Sequence, residues 1–170
     1  MRRLILLRHA KSSWADEGVH DAARRLNERG RLAAVLMGAW LAEYDLFPDF
    51  ALISTARRAV ETWERAKIGM GMAPPHASAP IYMAEAGTLL EVLQGAPADA
   101  RTVLMLGHQP GMSDFMEALA GEVAEDCVHA FDKFPTASVA VIEFDGLEAW
   151  TDLAPRAGRL VRFAHPKDLV

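Results

Sequence analysis

Cysteine is almost absent from this sequence: Cys127 is the only one in 170 residues. One thiol cannot form an intrachain disulfide and excludes a four-cysteine zinc site, which fits a reducing compartment, the cytoplasm. Long apolar runs are missing as well. Only Leu4-Ile-Leu-Leu7 stands between the N-terminal arginines and Arg8, well short of the roughly 7–15 apolar residues of a secretory signal. No stretch nears the roughly 20 residues of a membrane span. A basic excess is also lacking. With 18 Lys and Arg against 23 Asp and Glu, the net charge is -5, which argues against a general nucleic-acid binder. It leaves room for a local basic pocket that takes a small anion.

What is present is enough to build a core. At 51% hydrophobic and 24% charged, the chain is globular rather than disordered, and its length suits one domain over residues 1–170. Leu4–Leu7 reads as a strand buried on both faces. Leu26 to Tyr44 reads as a helix with Leu32, Val35, Leu36, Ala39 and Trp40 on its apolar face. Phe50–Ile53 is a second strand, and Ala56 to about Lys67 a second helix. Met72 to Ala79 reads as a loop, followed by a brief strand at Ile81-Tyr82 and a helix around Thr88–Leu93. Thr102–Leu106 is a further apolar strand, and Met112, Phe115, Met116 and Leu119 mark the helix after it. Ala137–Phe144 is a strand, Asp145-Gly146 signals a hairpin, Leu147–Leu153 is its weaker partner, and Arg159–Phe163 is the last strand. The alternation predicts an α/β fold of three layers, α/β/α. Its sheet is mostly parallel with helices on both faces and an antiparallel C-terminal strand or hairpin.

In such a sheet, ligands bind beyond the carboxyl ends of the strands. Arg8 and His9 follow the first strand. Ser54, Thr55, Arg57 and Arg58 follow the second, and Gly107, His108 and Gln109 follow the strand ending at Leu106. Each group alone is ordinary. Together they predict a cationic rim in an acidic protein, and hence an anionic ligand, since arginine forks suit phosphate oxygens. His76, His129 and His165 have no metal-ligand spacing, and Cys127 has no basic partner that would activate it.

These residues also carry a family resemblance. Leu6-Leu-Arg-His-Ala-Lys-Ser12 resembles the Arg-His-Gly signature of the histidine phosphatase superfamily, which includes the phosphoglycerate mutases. Arg24-Arg-Leu-Asn-Glu-Arg-Gly30, Ser54-Thr-Ala-Arg-Arg-Ala-Val-Glu-Thr62 and Leu106-Gly-His-Gln-Pro-Gly111 resemble its later motifs, in the same order. Phe134-Pro-Thr-Ala-Ser138 and His165-Pro-Lys-Asp-Leu169 are similar to the short SixA-like branch, the phosphohistidine phosphatases. The resemblance implies a metal-independent phosphatase that needs no cofactor. It implies that His9 attacks phosphorus to form a phosphohistidine, while Arg8, Arg58 and His108 hold the phosphoryl oxygens. Nearby arginines should keep His9 unprotonated by disfavouring the imidazolium.

Ser12 and Arg24 are further candidates for the phosphate or its loop, and Trp14, Asp16, Glu17, His20 and Asp21 lie on the segment that should border the pocket. Several positions depart from the superfamily pattern. Ala10 stands where relatives outside the branch have Gly, and Gln109 replaces the usual Asn. The acid that protonates the leaving oxygen in mutases has no clear counterpart. Glu85, in Tyr82-Met-Ala-Glu85, is the candidate by position, and a surface carboxylate is the alternative. A phosphohistidine substrate needs less help from an acid, because its P–N bond is weak and its ring nitrogen is easily protonated. The expected substrate is therefore a phosphohistidine, as on a phosphohistidine-bearing protein, or another phosphoramidate. The alternatives are a small-molecule phosphomonoesterase and a non-catalytic phosphate-binding module. Neither a nucleic acid nor a membrane is expected as partner.

Overall fold

The computed structural model of the chain describes residues 1–69, 71 and 75–169. Its strands are β1 (Arg2–Arg8), β2 (Phe50–Ser54), β3 (Pro75–Ser78), β4 (Thr102–Gly107), β5 (Ala120–Val123), β6 (Val139–Phe144) and β7 (Gly158–Ala164). They form one sheet in the order β3-β2-β4-β1-β6-β7-β5. The first four run parallel, and β6 lies antiparallel between β1 and β7. The helices are α1 (Glu28–Glu43), α2 (Arg57–Ala66), α3 (Ala86–Gln94) and α4 (Gly111–Leu119). No helix among the described residues is long and apolar enough to cross a membrane.

The alternation of side chains along β1 divides the molecule into layers. Ile5 and Leu7 face a core completed by α1 and α2, while Leu4 and Leu6 face one completed by α3 and α4. Both faces of the strand are therefore covered, which is why its apolar run is continuous rather than alternating. The α/β expectation with an antiparallel C-terminal part is met.

Four local expectations need correction. The buried face of α1 is Gly30, Ala34, Met37, Gly38, Trp40 and Leu41, while Leu32 and Val35 are exposed. Small residues take that face because backbone passes directly over it. A Cβ on Gly30 would lie 2.1 Å from the Lys11 carbonyl oxygen, and one on Gly38 2.1 Å from that of Ala66. Pro75–Ser78, expected in a loop, form the edge strand β3, where a proline is tolerated; Met72, Ala73 and Pro74 lie outside the described residues. Ala79–Ile81 form a 3-10 turn in place of the strand expected at Ile81-Tyr82.

Leu147–Leu153 is not a strand, and the antiparallel partner of β6 is β7. The apolar residues Leu147, Trp150 and Leu153 recur every three positions, a turn-like spacing that strand alternation cannot use. Trp150 is buried in a 3-10 turn and donates through Nε1 to the Ala100 carbonyl at 2.8 Å.

Strand register positions the site. Leu7 pairs with Leu106, and Ile53 pairs with the same residue from the other side. The carboxyl ends of β1, β2 and β4 are therefore level, and the residues that follow them emerge together.

Candidate active site

At those level ends lies a cleft of about 320 Å³. Arg8, His9, Arg58 and His108 line it, with Ser12, Arg24, Asp21 and Thr136 around them. His9 is fixed by its backbone before its side chain is considered. Its N–H donates to the Gly107 carbonyl at 3.0 Å, and Ala137 N donates to the carbonyls of both Arg8 and His9. Ala137 holds a left-handed backbone, φ 62°, to do so. The next amide, Ala10 N, donates to Thr62 Oγ1 at 2.9 Å, and that hydroxyl donates to the Arg58 carbonyl at 2.7 Å. The end of β1 is thereby tied to the first turn of α2, where Arg58 sits.

The hydrogen bonds also set the ring tautomers. His9 Nδ1 is 2.7 Å from the Ala10 carbonyl, which can only accept, so Nδ1 carries the proton and Nε2 the lone pair. Arg58, which can only donate, reaches that Nε2 through Nε at 3.4 Å and reaches His108 Nδ1 through Nη2 at 3.3 Å. Both histidines therefore turn a lone pair toward one guanidinium. The remaining nitrogen of His108, Nε2, lies 2.7 Å from Ser54 Oγ. The two rings stand 5.2 Å apart between centroids.

Electrostatics agree with neutral rings. Burial, with further contributions from His108, Arg58 and Arg8, lowers the His9 pKa to about 3 against the opposing bond to Ala10. Burial and then Arg58 lower that of His108 to about 4. The main cause is thus loss of water rather than the arginines. Arg8 donates through Nη1 to the Phe134 carbonyl at 2.9 Å, while its buried Nε has no partner within the chain.

One carboxylate enters the cleft. Asp21 accepts from Arg58 at 3.0 Å, from Arg24 at 3.1 Å and from the Tyr82 hydroxyl. The hydroxyl bond, then the two guanidiniums, hold it below the ordinary carboxylate range. Arg24 also donates to Ser12 Oγ at 2.7 Å and stacks on the exposed Trp14 ring at 3.6 Å.

The structure thus brings Arg8, His9, Ser12, Arg24, Arg58 and His108 around one cleft. Glu85 is elsewhere: it is exposed at the N-cap of α3, makes no capping bond, and does not line the cleft. The sequence places Ser54 on the rim and Asp21 on the bordering segment without a partner for either, and it gives no site role to Tyr82. Tyr82 lies 61 positions from the Asp21 it contacts, and Ser54 lies 54 from His108, so neither pair has a local signal. Of the Asp21 contacts, the ion pair with Arg24 has helix-like i,i+3 spacing. Among the described residues, no group of three or more His, Cys, Asp or Glu side chains is disposed to hold a metal ion.

Known proteins with this arrangement are plain. The family model of the histidine phosphatase superfamily (branch 1) matches residues 4–79. An uncharacterized protein of Mycobacterium tuberculosis is 35% identical over 164 residues, covering 95% of this chain and all of that one. The proposed phosphohistidine phosphatase SixA of Agrobacterium tumefaciens is 30% identical with a TM-score of 0.81, covering 97% of this chain and 98% of that one. Its counterpart from Nakamurella multipartitia is 28% identical with a TM-score of 0.83, covering 97% and 96%. By fold, motif order and full-length similarity, this chain belongs to the histidine phosphatase superfamily and is a SixA-like phosphatase.

Proposed function

We propose that the chain hydrolyses phosphohistidine, or another phosphoramidate, through a phosphoenzyme formed on His9. The observation that carries this reading is the His9 ring itself. Its proton is committed to the Ala10 carbonyl, and its free lone pair faces the Arg58 guanidinium at 3.4 Å. The Nε2 lone pair attacks phosphorus. The substrate P–N bond breaks, with its electron pair passing to the leaving nitrogen, which takes a proton. Water then attacks the phosphoryl group on His9, breaking the P–Nε2 bond and releasing orthophosphate.

Arg8 and Arg58 supply fixed positive charge where the phosphoryl oxygens gather, the principal requirement of phosphoryl transfer. An oxygen accepting from Arg8 Nε would satisfy a donor that is buried without a partner in the chain alone. His108 turns an unprotonated Nδ1 toward Arg58, so it holds an oxygen only after taking up a proton as the anion binds.

The leaving group follows from the carboxylates. Glu85 lies outside the cleft, and Asp21 is kept ionised by Tyr82 and two arginines, so neither is poised to deliver a proton. A leaving nitrogen that protonates readily suits such a site better than an alkoxide does. In a panel of phosphoramidate, a phosphohistidine peptide, p-nitrophenyl phosphate and an alkyl phosphate, the nitrogen-linked substrates are expected to turn over fastest. Faster turnover of alkyl phosphates, lost in Glu85→Gln, would favour the phosphomonoesterase alternative.

A further inference from the structure

Beside the catalytic cleft runs a second groove of about 260 Å³, which shares Lys11 and Thr136 with it. Its apolar lining comes from Ala33, Pro135 and Pro166, and its cations are Lys11, Arg29, Lys133 and Lys167. All four cations are exposed, and none makes an ion pair among the described residues. Acids adjoin three of these cations in sequence, Glu28, Asp132 and Asp168, but none forms an ion pair with them among the described residues, and Asp168 is engaged with His165 at 3.4 Å and with the His165 amide. Four unpaired cations around one groove stand out in a chain of net charge -5. Arg29 adds to this, since it lies in the first turn of α1, where the helix dipole disfavours a cation unless an anion compensates it.

We infer that this groove docks an acidic, partly apolar segment flanking the phosphorylated residue of a protein substrate. The inference rests on the phosphohistidine reading and adds the partner's surface to it. Two links hold the groove at a fixed place beside the reaction. Lys11 is two residues after His9, and Lys133, Pro135 and Thr136 lead directly into Ala137, whose N–H bonds the carbonyls of Arg8 and His9. A chain lying in the groove therefore continues into the cleft. Apolar lining with a cationic rim complements a segment that mixes acidic and apolar side chains, and it repels a basic one. Exposed charges of this kind attract over about a Debye length, so the preference weakens with salt.

The test uses three synthetic phosphohistidine peptides, phosphorylated with phosphoramidate, whose flanks are acidic, neutral or basic. The triple variant Arg29→Glu/Lys133→Glu/Lys167→Glu changes only groove residues outside the catalytic cleft, and Arg29→Gln/Lys133→Gln/Lys167→Gln is its milder counterpart. The parent protein is expected to favour the acidic peptide over the neutral one at least tenfold in kcat/KM at low salt. The Gln variant should lose most of that preference and the Glu variant should invert it, while both hydrolyse phosphoramidate within twofold of the parent. Equal rates on acidic and neutral peptides, or a preference that survives in both variants, would overturn the inference and leave the phosphohistidine reading intact. Anisotropy of the labelled, unphosphorylated acidic peptide separates the two: if no peptide is hydrolysed but the variants still bind tenfold more weakly, the groove stands and the phosphohistidine reading falls. Equal binding by parent and variants would overturn the groove.

Discussion

Acid should destabilise this protein through its two cleft histidines, well above the pH at which carboxylates titrate. His9 and His108 are 7% and 3% exposed, and their pKa values are lowered to about 3 and about 4. In the unfolded chain each returns to about 6.5. Below pH 6.5 the unfolded state therefore binds protons that the folded state refuses, and stability is lost as pH falls. Between pH 6.5 and pH 5 the loss is about 1.5–2 kcal/mol per histidine, or about 3 kcal/mol for the pair. That is a large share of the roughly 5–15 kcal/mol that holds a domain folded. Urea unfolding followed by tryptophan fluorescence at pH 6.5 and pH 5 measures it, and His108→Gln removes one site, so that variant should lose about half the slope. A change below about 0.5 kcal/mol, or an undiminished slope in His108→Gln, would refute the claim that these rings are buried and neutral.

Three further outcomes follow from the same geometry. Ser54→Ala leaves His108 Nε2 without its partner at 2.7 Å, so the ring should lose its fixed orientation. kcat on phosphoramidate is expected to fall roughly tenfold, with about 1 kcal/mol lost in stability by urea unfolding. Tyr82→Phe removes the hydroxyl bond to Asp21 and loosens the carboxylate that holds Arg58; KM should rise about fivefold, the equivalent of about 1 kcal/mol, with a smaller change in kcat. Gly38→Ala would drive a methyl group against the Ala66 backbone, costing about 1–3 kcal/mol by overpacking. Its melting temperature should drop by about 2–12 °C, with kcat of the folded fraction unchanged in a calorimetric and steady-state comparison.

Legibility in the sequence followed burial. β1 and β4 are fully covered, so their apolar runs announce them, and the Met112, Phe115, Met116 and Leu119 stripe of α4 is buried as its spacing predicts. The face of α1 was misread because Gly30 and Gly38 admit neighbouring backbone, and close approach by small residues leaves no hydrophobic signal. β3 was missed because an exposed edge strand reading Pro-His-Ala-Ser has neither apolar content nor alternation. At the site, Arg8, His9, Arg58 and His108 could be grouped because each follows a strand end, and the sheet fixes where strand ends lie. Ser54 belongs to that group too, but its bond to His108, like those of Asp21 to Tyr82 and Arg58, forms only when segments far apart in sequence close over the cleft. The cause assigned to the lowered His9 pKa also shifted, from neighbouring arginines to burial first, because depth cannot be read from a one-dimensional pattern.

The central claim is that His9 carries the phosphoryl group. Rapid quenching in base after mixing with labelled phosphoramidate, followed by peptide mapping, tests it directly. The label should appear on His9 within one turnover, survive base, be lost in acid, and be absent from His9→Ala along with turnover. Label on another residue, or turnover that persists in His9→Ala, would contradict it.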